Sequence, residues 1–143
     1  MIANRSVPTA TVIPVLAYTD VVAAADWLCN SFGFSVRLRI ADHRAQLAYG
    51  EGAVIVTDGG RNPGAAGTHS VLVRVNDADS HHAQAVRRGA RILSPPTDYP
   101  YGERQYSAED PGGHRWTFSQ SIADVDPASW GGILVADAAE EVR

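Results

Sequence analysis

Cys29 is the single cysteine among 143 residues, so no disulfide can close within the chain and a zinc site built on thiolates is excluded. Long apolar runs are missing too. Nothing approaches the roughly 20 residues needed to span a bilayer, and the opening MIANRSVPTA lacks the apolar stretch of a secretory signal. Basic residues are sparse: 12 Lys+Arg stand against 16 Asp+Glu, a formal net charge of −4. No basic cluster exceeds the pair Arg87-Arg88, so no stripe is available to follow a phosphate backbone. The G-x-S-x-G, H-E-x-x-H and P-loop patterns are absent. The expectation is a cytoplasmic globular chain, one domain or two small modules sharing a core, with neither nucleic acid nor membrane as partner.

What is present is 45% hydrophobic and 20% charged, the composition of an ordinary globular protein. TVIPVLAY (Thr11 to Tyr18) reads as a strand of β-branched and apolar residues. A helix follows in TDVVAAADWLCNSFGF, capped by Thr19 or Asp20 and stopped by Gly33, with Val22, Ala25, Leu28 and Cys29 on one side. Cys29, beside Trp27 and Leu28, reads as a small buried hydrophobe and not a nucleophile. SVRLRI, RAQLAY and GAVIVTD are three more strands, and GGRNPGAAGT is a Gly/Pro-rich linker.

Beyond the linker the plan repeats. HSVLVRV is a strand, and NDADSHHAQAVRRGA is a helix capped by Asn76 or Asp77 and stopped at Gly89. RILSPP is a short strand ended by prolines, and GERQYSAED and HRWTFSQ are a final pair. Overlaying Ile13–Asp20 on Ser70–Asp77 aligns the two strand-to-helix junctions at an offset of 77 − 20 = 57 residues. An internal repeat of that length implies two similar units, each with one apolar face in need of a partner. The expected boundaries are 1–62, 63–122 and a C-terminal extension, 123–143, with no counterpart in the first half.

The last two strands are joined by Asp110-Pro111-Gly112-Gly113, strong turn chemistry that sets the register. Alternation then points Trp116 and Phe118 one way, and Arg115, Thr117 and Ser119 the other. Two large aromatics belong beneath a helix, so the polar set faces a cavity or solvent. In the preceding strand Glu103, Gln105 and Ser107 alternate with Arg104, Tyr106 and Ala108.

PVLAYTDVVAAADWLCNSFGF, THSVLVRVNDADSHHAQAVRRGA and above all YGERQYSAEDPGGHRWTF resemble the vicinal oxygen chelate superfamily of glyoxalases, bleomycin-resistance proteins and extradiol dioxygenases. The resemblance spans Val12 to Phe118. It implies an α+β fold in which two βαβββ modules form a curved, cup-like mixed sheet with helices on the convex side, commonly completed in a homodimer. Metal-dependent members place four His, Gln or Glu ligands in the cup, one per strand. Those positions fall here on Ile13, Val56, Ser70 and Thr117. Two aliphatic side chains and two hydroxyls cannot assemble the three His or carboxylate ligands that a zinc or iron site requires. The resemblance therefore implies a chain without the family's metal, and no cofactor is expected. His43, His69, His81, His82 and His114 read as surface or turn histidines.

The expected ligand pocket is a polar lining of Ser70, Arg74, Gln105, Ser107, Arg115 and Thr117 between apolar walls Val15, Val56 and Leu72, with Asp58 able to orient a polar group. Apolar surface with a few directed donors suits a small organic ligand. Trp130 either covers a pocket mouth or packs at a subunit boundary. The leading function is a metal-free small-molecule-binding protein of the bleomycin-resistance type. The alternatives are a metal-dependent lyase, isomerase or dioxygenase of the same superfamily, and an interaction module whose cup is filled by its own side chains. No residue pair identifies a general base.

Overall fold

A computed structural model describes residues 3–59 and 69–134. The first module runs β1 (Val15–Ala17), α1 (Val21–Phe32), β2 (Ser35–Ile40), β3 (Arg44–Tyr49) and β4 (Gly52–Thr57). The second runs β5 (Ser70–Arg74), α2 (Ala78–Arg87), β6 (Arg91–Tyr99), β7 (Glu103–Glu109) and β8 (Arg115–Ser121), followed by a 3-10 turn at Pro127–Trp130. Each module forms one four-stranded mixed sheet, in the orders β1-β4-β3-β2 and β5-β8-β7-β6. The first strand of each module pairs parallel with its last, and the remaining pairs are antiparallel. This is the two-module α+β fold with helices on the convex side. The linker over residues 60–68, the 62/63 boundary and the acidic tail from residue 135 lie outside the described residues.

Local chemistry sets the element ends. Asp20 caps α1 by accepting the Ala23 N–H at 3.0 Å, and Asp77 caps α2 by accepting the Ser80 N–H at 3.1 Å; each satisfies a donor that a helix start leaves free. Gly33, at φ 88°, ends α1 in the left-handed conformation that costs glycine least. Two strands differ from expectation, both through proline. β1 begins only at Val15, because Pro14 has no N–H to give; its carbonyl still accepts the Ile55 N–H at 2.9 Å. β6 does not stop at Pro95-Pro96 but continues to Tyr99, with register shifts between Ile92 and Ser94 and between Ser94 and Thr97. An edge strand tolerates prolines at such irregularities, since one row of its backbone groups has no ladder partner.

The helix-facing sides of both sheets enter one core. Leu16, Leu47, Val54 and Val56 join Leu28 and Phe32 of the first module and Tyr106, Ala108, Trp116 and Phe118 of the second. Phe32 meets Phe118 edge-on with ring centres 4.8 Å apart, and Phe34 meets Trp116 at 5.4 Å. Trp116 and Phe118 are fully buried, and burying a side chain of that kind contributes about 1.5–3 kcal/mol. Tyr106, in the alternate set of β7 with Ala108, belongs to the core.

Polar groups clamp the modules together. Asp110 accepts the Tyr18 hydroxyl at 2.6 Å and the Trp116 indole N–H at 2.9 Å, as well as the backbone N–H groups of Gly112 and His114. Burial, the Asp110 charge and this hydrogen bond push the Tyr18 phenol far above its usual range. Two of the histidines expected at the surface or in a turn are tied inward, His81 half-buried and His114 buried. His81 donates from Nε2 to the Phe32 carbonyl at 2.8 Å and accepts the Tyr106 hydroxyl at Nδ1. His114, 7% exposed, donates from Nε2 to the Ala17 carbonyl at 2.8 Å, leaving Nδ1 to accept from His69 Nε2 at 3.2 Å. Sequence parity could not see either one, because each ring is fixed by a carbonyl of the other module.

Candidate functional site

The sheet faces turned away from the helices are the two concave faces. In the second module the register places Ser70 beside Arg115, Leu72 beside Thr117 and Arg74 beside Ser119, then Thr117 beside Ser107, Ser119 beside Gln105 and Ser121 beside Glu103. Pleating therefore sends one alternate set from β5, β7 and β8 to the same side. The seven expected pocket residues of this module, Ser70, Leu72, Arg74, Gln105, Ser107, Arg115 and Thr117, share that face. The Pro111-Gly112 turn sets this pairing, and Asp110 pins it by accepting the His114 N–H at 2.9 Å.

The polar side chains on this face form a directed network. The Tyr101 hydroxyl donates to Gln105 Oε1 at 3.1 Å, Gln105 Nε2 donates to Ser119 Oγ at 3.0 Å, and Ser119 Oγ donates to Glu103 Oε1 at 2.7 Å. Ser107 and Thr117 bridge hydroxyl to hydroxyl at 2.9 Å, and Arg74 Nη2 donates to Ser121 Oγ at 3.2 Å. The hydroxyls of Ser121 and Ser119, with the Arg74 charge nearby, hold the Glu103 carboxyl below its ordinary range. An anionic acceptor thus terminates the chain of donors. Arg115 is exposed.

Of the remaining expected residues, Val15 lies on the concave side of the first sheet, 53% exposed. Val56 is a correction. It is 0% exposed and packs in the core. Val15 pairs with Ile55, so Ile55 is the concave-facing position, and a one-residue slip in transferring the family's position reversed the side chain. Ile55 has no donor atom either, so the argument about ligand chemistry stands with Ile13, Ile55, Ser70 and Thr117. Asp58 is exposed just beyond β4, and its N–H is held by the His43 carbonyl at 3.2 Å; it does not join the others. Among the described residues no group of three or more His, Cys, Asp or Glu is placed to hold a metal ion.

Two hollows open along the seam between β1 and β5. The larger, about 630 Å³, is lined by residues that include Val12, Pro14, Glu51, Val54, Leu72 and Arg74. The other, about 450 Å³, lies at the start of β5 against Val15, His69 and Ser70. Neither includes Gln105, Ser107 or Thr117, which form an open floor.

Sequence reasoning gave Trp130 two roles, pocket cover or subunit contact, and did not join it to Tyr99 and Tyr101 in one aromatic rim. Tyr99 and Tyr101 stack with ring centres 5.5 Å apart and planes within 10°, and Trp130 stands edge-on to Tyr101 at 5.7 Å. Trp130 is 46% exposed, so this trio is a surface feature and not core. Gly102, at φ 84°, permits the tight return that aims Tyr101 and Glu103, and its carbonyl accepts the Ile122 N–H at 2.8 Å. The Tyr101–Gln105 bond joins the rim to the polar floor. The two tyrosines of YPYGE were the available signal; their meeting with Trp130 depends on the extension folding back, which periodicity does not report.

The architecture is thus a pair of βαβββ modules with a hydrogen-bonded floor on the concave face of the second, and among the described residues it holds no group of His, Cys, Asp or Glu placed to bind a metal. The chain belongs to the Glyoxalase/Bleomycin resistance protein/Dioxygenase superfamily, whose family model matches residues 10–118. The crystal structure of TioX from Micromonospora sp. ML1 is similar at 38% identity and a TM-score of 0.66, over 77% of this chain and 97% of that one. The bleomycin-binding protein from bleomycin-producing Streptomyces verticillus, solved with copper(II)-bleomycin, shares 22% identity and a TM-score of 0.63 over 80% and 98%. A bleomycin resistance determinant encoded on the transposon Tn5 shares 21% identity and a TM-score of 0.66 over 80% and 100%. Among curated protein sequences none matches.

Proposed function

We propose that the chain binds a small organic molecule without a metal, on the concave face of its second module, with a planar aromatic part of the ligand against Tyr99, Tyr101 and Trp130. The observation that carries this reading is the continuity of rim and floor. The Tyr101–Gln105–Ser119–Glu103 relay links stacking surface to a row of directed polar atoms, and aromatic walls with a few placed donors are the usual make-up of a ligand site. Arg74 and Arg115 supply cations, Glu103 an anion and Leu72 an apolar wall. The bleomycin-binding relative, solved with a compound of this general kind, supports the reading by likeness of fold.

Homodimerisation belongs to the same proposal. The exposed Val12, Val15 and Leu72 border a face with no opposing wall among the described residues, and a second copy would provide one. The cytoplasm suits a chain whose lone Cys29 stays a thiol; burial raises its pKa and lowers its reactivity.

Titration calorimetry with copper(II)-bleomycin as the first probe, followed by a panel of planar aromatic natural products, tests the binding. Elemental analysis of protein purified without chelator runs beside it. Saturable binding by protein holding less than stoichiometric metal supports the proposal. Stoichiometric zinc, nickel, manganese or iron, with turnover and no such binding, replaces it with the metal-dependent enzyme reading.

A further inference from the structure

His69 and His114 meet where the two modules join. β5 and β8 run parallel with Ser70 beside Arg115, so one step back along both strands sets His69 against His114. The ring centres stand 5.4 Å apart, with His69 Nε2 3.2 Å from His114 Nδ1. Only the second ring is held in place. His114 is buried, lies edge-on to the Tyr18 ring at 4.8 Å, and has its backbone N–H accepted by Asp110. Its Nε2 is 2.8 Å from the Ala17 carbonyl oxygen of the first module. His69 is exposed.

The Ala17 carbonyl decides where the hydrogens sit. A carbonyl oxygen can only accept, so His114 carries its hydrogen on Nε2, and in a neutral ring that leaves Nδ1 bare. A bare Nδ1 needs a donor, so His69 carries its hydrogen on Nε2 as well. The bond made by one ring nitrogen thereby fixes the role of the other. Neutral His69 is left with Nδ1 as an acceptor, and among the described residues no group donates to it. The polarity runs from an exposed ring, through a buried one, to the backbone of the opposite module.

That acceptor borders the hollow of about 450 Å³ at the start of β5. His69 and Ser70 supply its polar side chains, and Val15, Leu16, Val71 and Leu72 its apolar walls. Its described lining holds no Asp, Glu, Lys or Arg, so a charged ligand would lose hydration there without gaining a partner. A phenolic O–H is a stronger donor than an alcohol's and sits on a flat apolar body, which matches one imidazole acceptor beside apolar walls. We infer that this hollow is a second ligand site, taking an uncharged aromatic compound with one hydroxyl that donates to His69 Nδ1 while the ring rests on Val15 and Leu72. His114 is a positioning residue, setting the His69 tautomer without touching the ligand. The site does not rest on the reading of the second module's floor: Ser70 and Leu72 border both, but Gln105, Ser107, Thr117 and the aromatic rim do not line this hollow.

The test uses the full chain labelled with nitrogen-15 and carbon-13, and two probes of similar shape: 2-naphthol, and 2-methoxynaphthalene, which lacks the donor. Long-range proton–nitrogen spectra of the imidazoles are expected to show His69 and His114 both as Nε2–H tautomers. 2-Naphthol is expected to move the His69 Nδ1 resonance saturably, and 2-methoxynaphthalene to bind at this ring about tenfold more weakly, the effect of one lost hydrogen bond. His69→Phe keeps a ring and removes the acceptor; 2-naphthol, read at the Val15 and Leu72 methyls, should weaken by the same factor with circular dichroism unchanged. In His114→Phe the His69 ring should lose its single tautomer; where that variant does not fold, the wild-type tautomer and the probe pair decide alone. A His69 ring carrying its hydrogen on Nδ1, no response of that ring to 2-naphthol, or equal affinity for the two probes overturns the inference. Shifts at the Trp130 indole with none at His69 also overturn it and assign the naphthalene to the rim, so the two sites fail separately.

Discussion

Ser107 and Thr117 face one another across β7 and β8 with their hydroxyl oxygens 2.9 Å apart. Each satisfies the other, so the place where metal-dependent relatives of this fold are expected to carry a ligand is here a closed neutral pair. Thr117→Glu is predicted to confer no zinc site, because one carboxylate among Ile13, Ile55 and Ser70 falls short of three donors. Zinc titration of the variant by calorimetry should give no stoichiometric binding. A submicromolar site would mean that other residues complete the coordination.

The aromatic rim carries a second prediction. Trp130→Ala removes the edge-on partner of Tyr101, and aromatic pairings contribute about 0.5–1.5 kcal/mol beyond their buried area. The ligand found by titration is expected to bind about three- to tenfold more weakly, with little change in melting temperature, since Trp130 is not core. Unchanged affinity would remove the rim from the site.

Gly102→Ala tests the same rim through the backbone. A Cβ there would stand 2.5 Å from the Ala123 carbonyl oxygen, at a φ of 84° that side chains resist. The expected cost is above about 2 kcal/mol by denaturant unfolding, together with weaker ligand binding as Tyr101 and Glu103 are re-aimed. Alanine tolerated without change would show that the turn can relax.

Asp110 is the acceptor on which the final turn, Tyr18 and Trp116 converge. Asp110→Ala leaves a buried phenol and indole without partners and is expected to destabilise the fold by about 3–5 kcal/mol. Tyr18→Phe deletes one donor and should cost about 1–3 kcal/mol. Urea midpoints order the two; equal losses would deny Asp110 its central role.

Acid should loosen the joint between the modules. Burial lowers the His81 pKa from the ordinary 6.5, partly opposed by its bond to the Phe32 carbonyl. Tyr106 and Tyr49 face the ring from β7 and β3, and His82 lies against Tyr106 from α2. Because the native pKa is the lower one, the unfolded chain binds more protons below pH 6.5, so stability rises with pH through the window between the two values. The contribution is complete above pH 6.5 and is lost as pH falls towards the native pKa. Wild type is therefore expected to lose more melting temperature than His81→Gln between pH 7.5 and 5. Equal losses would assign the acid sensitivity elsewhere.

Much of this was legible in the sequence for physical reasons. Asp20, Asp77 and Gly33 announce helix ends by local hydrogen bonding and left-handed geometry, and neither depends on the rest of the fold. The alternation of Trp116 and Phe118 with Arg115, Thr117 and Ser119 survives because a turn fixes register locally. Val56 was misplaced because the loops before β4 vary and gave the transferred family position no such anchor, and a single-residue error inverts a strand. His81 and His114 escaped notice because their partners lie 49 and 97 residues away.

Pro95 and Pro96 lie in β6, the outermost strand of the second sheet. Proline offers no amide hydrogen, and successive amides of a strand point to opposite edges, so the outer margin of β6 lacks one donor at this pair. An incoming strand would meet that gap together with the register shifts on either side of Ser94, which makes this edge a poor template for extending the sheet.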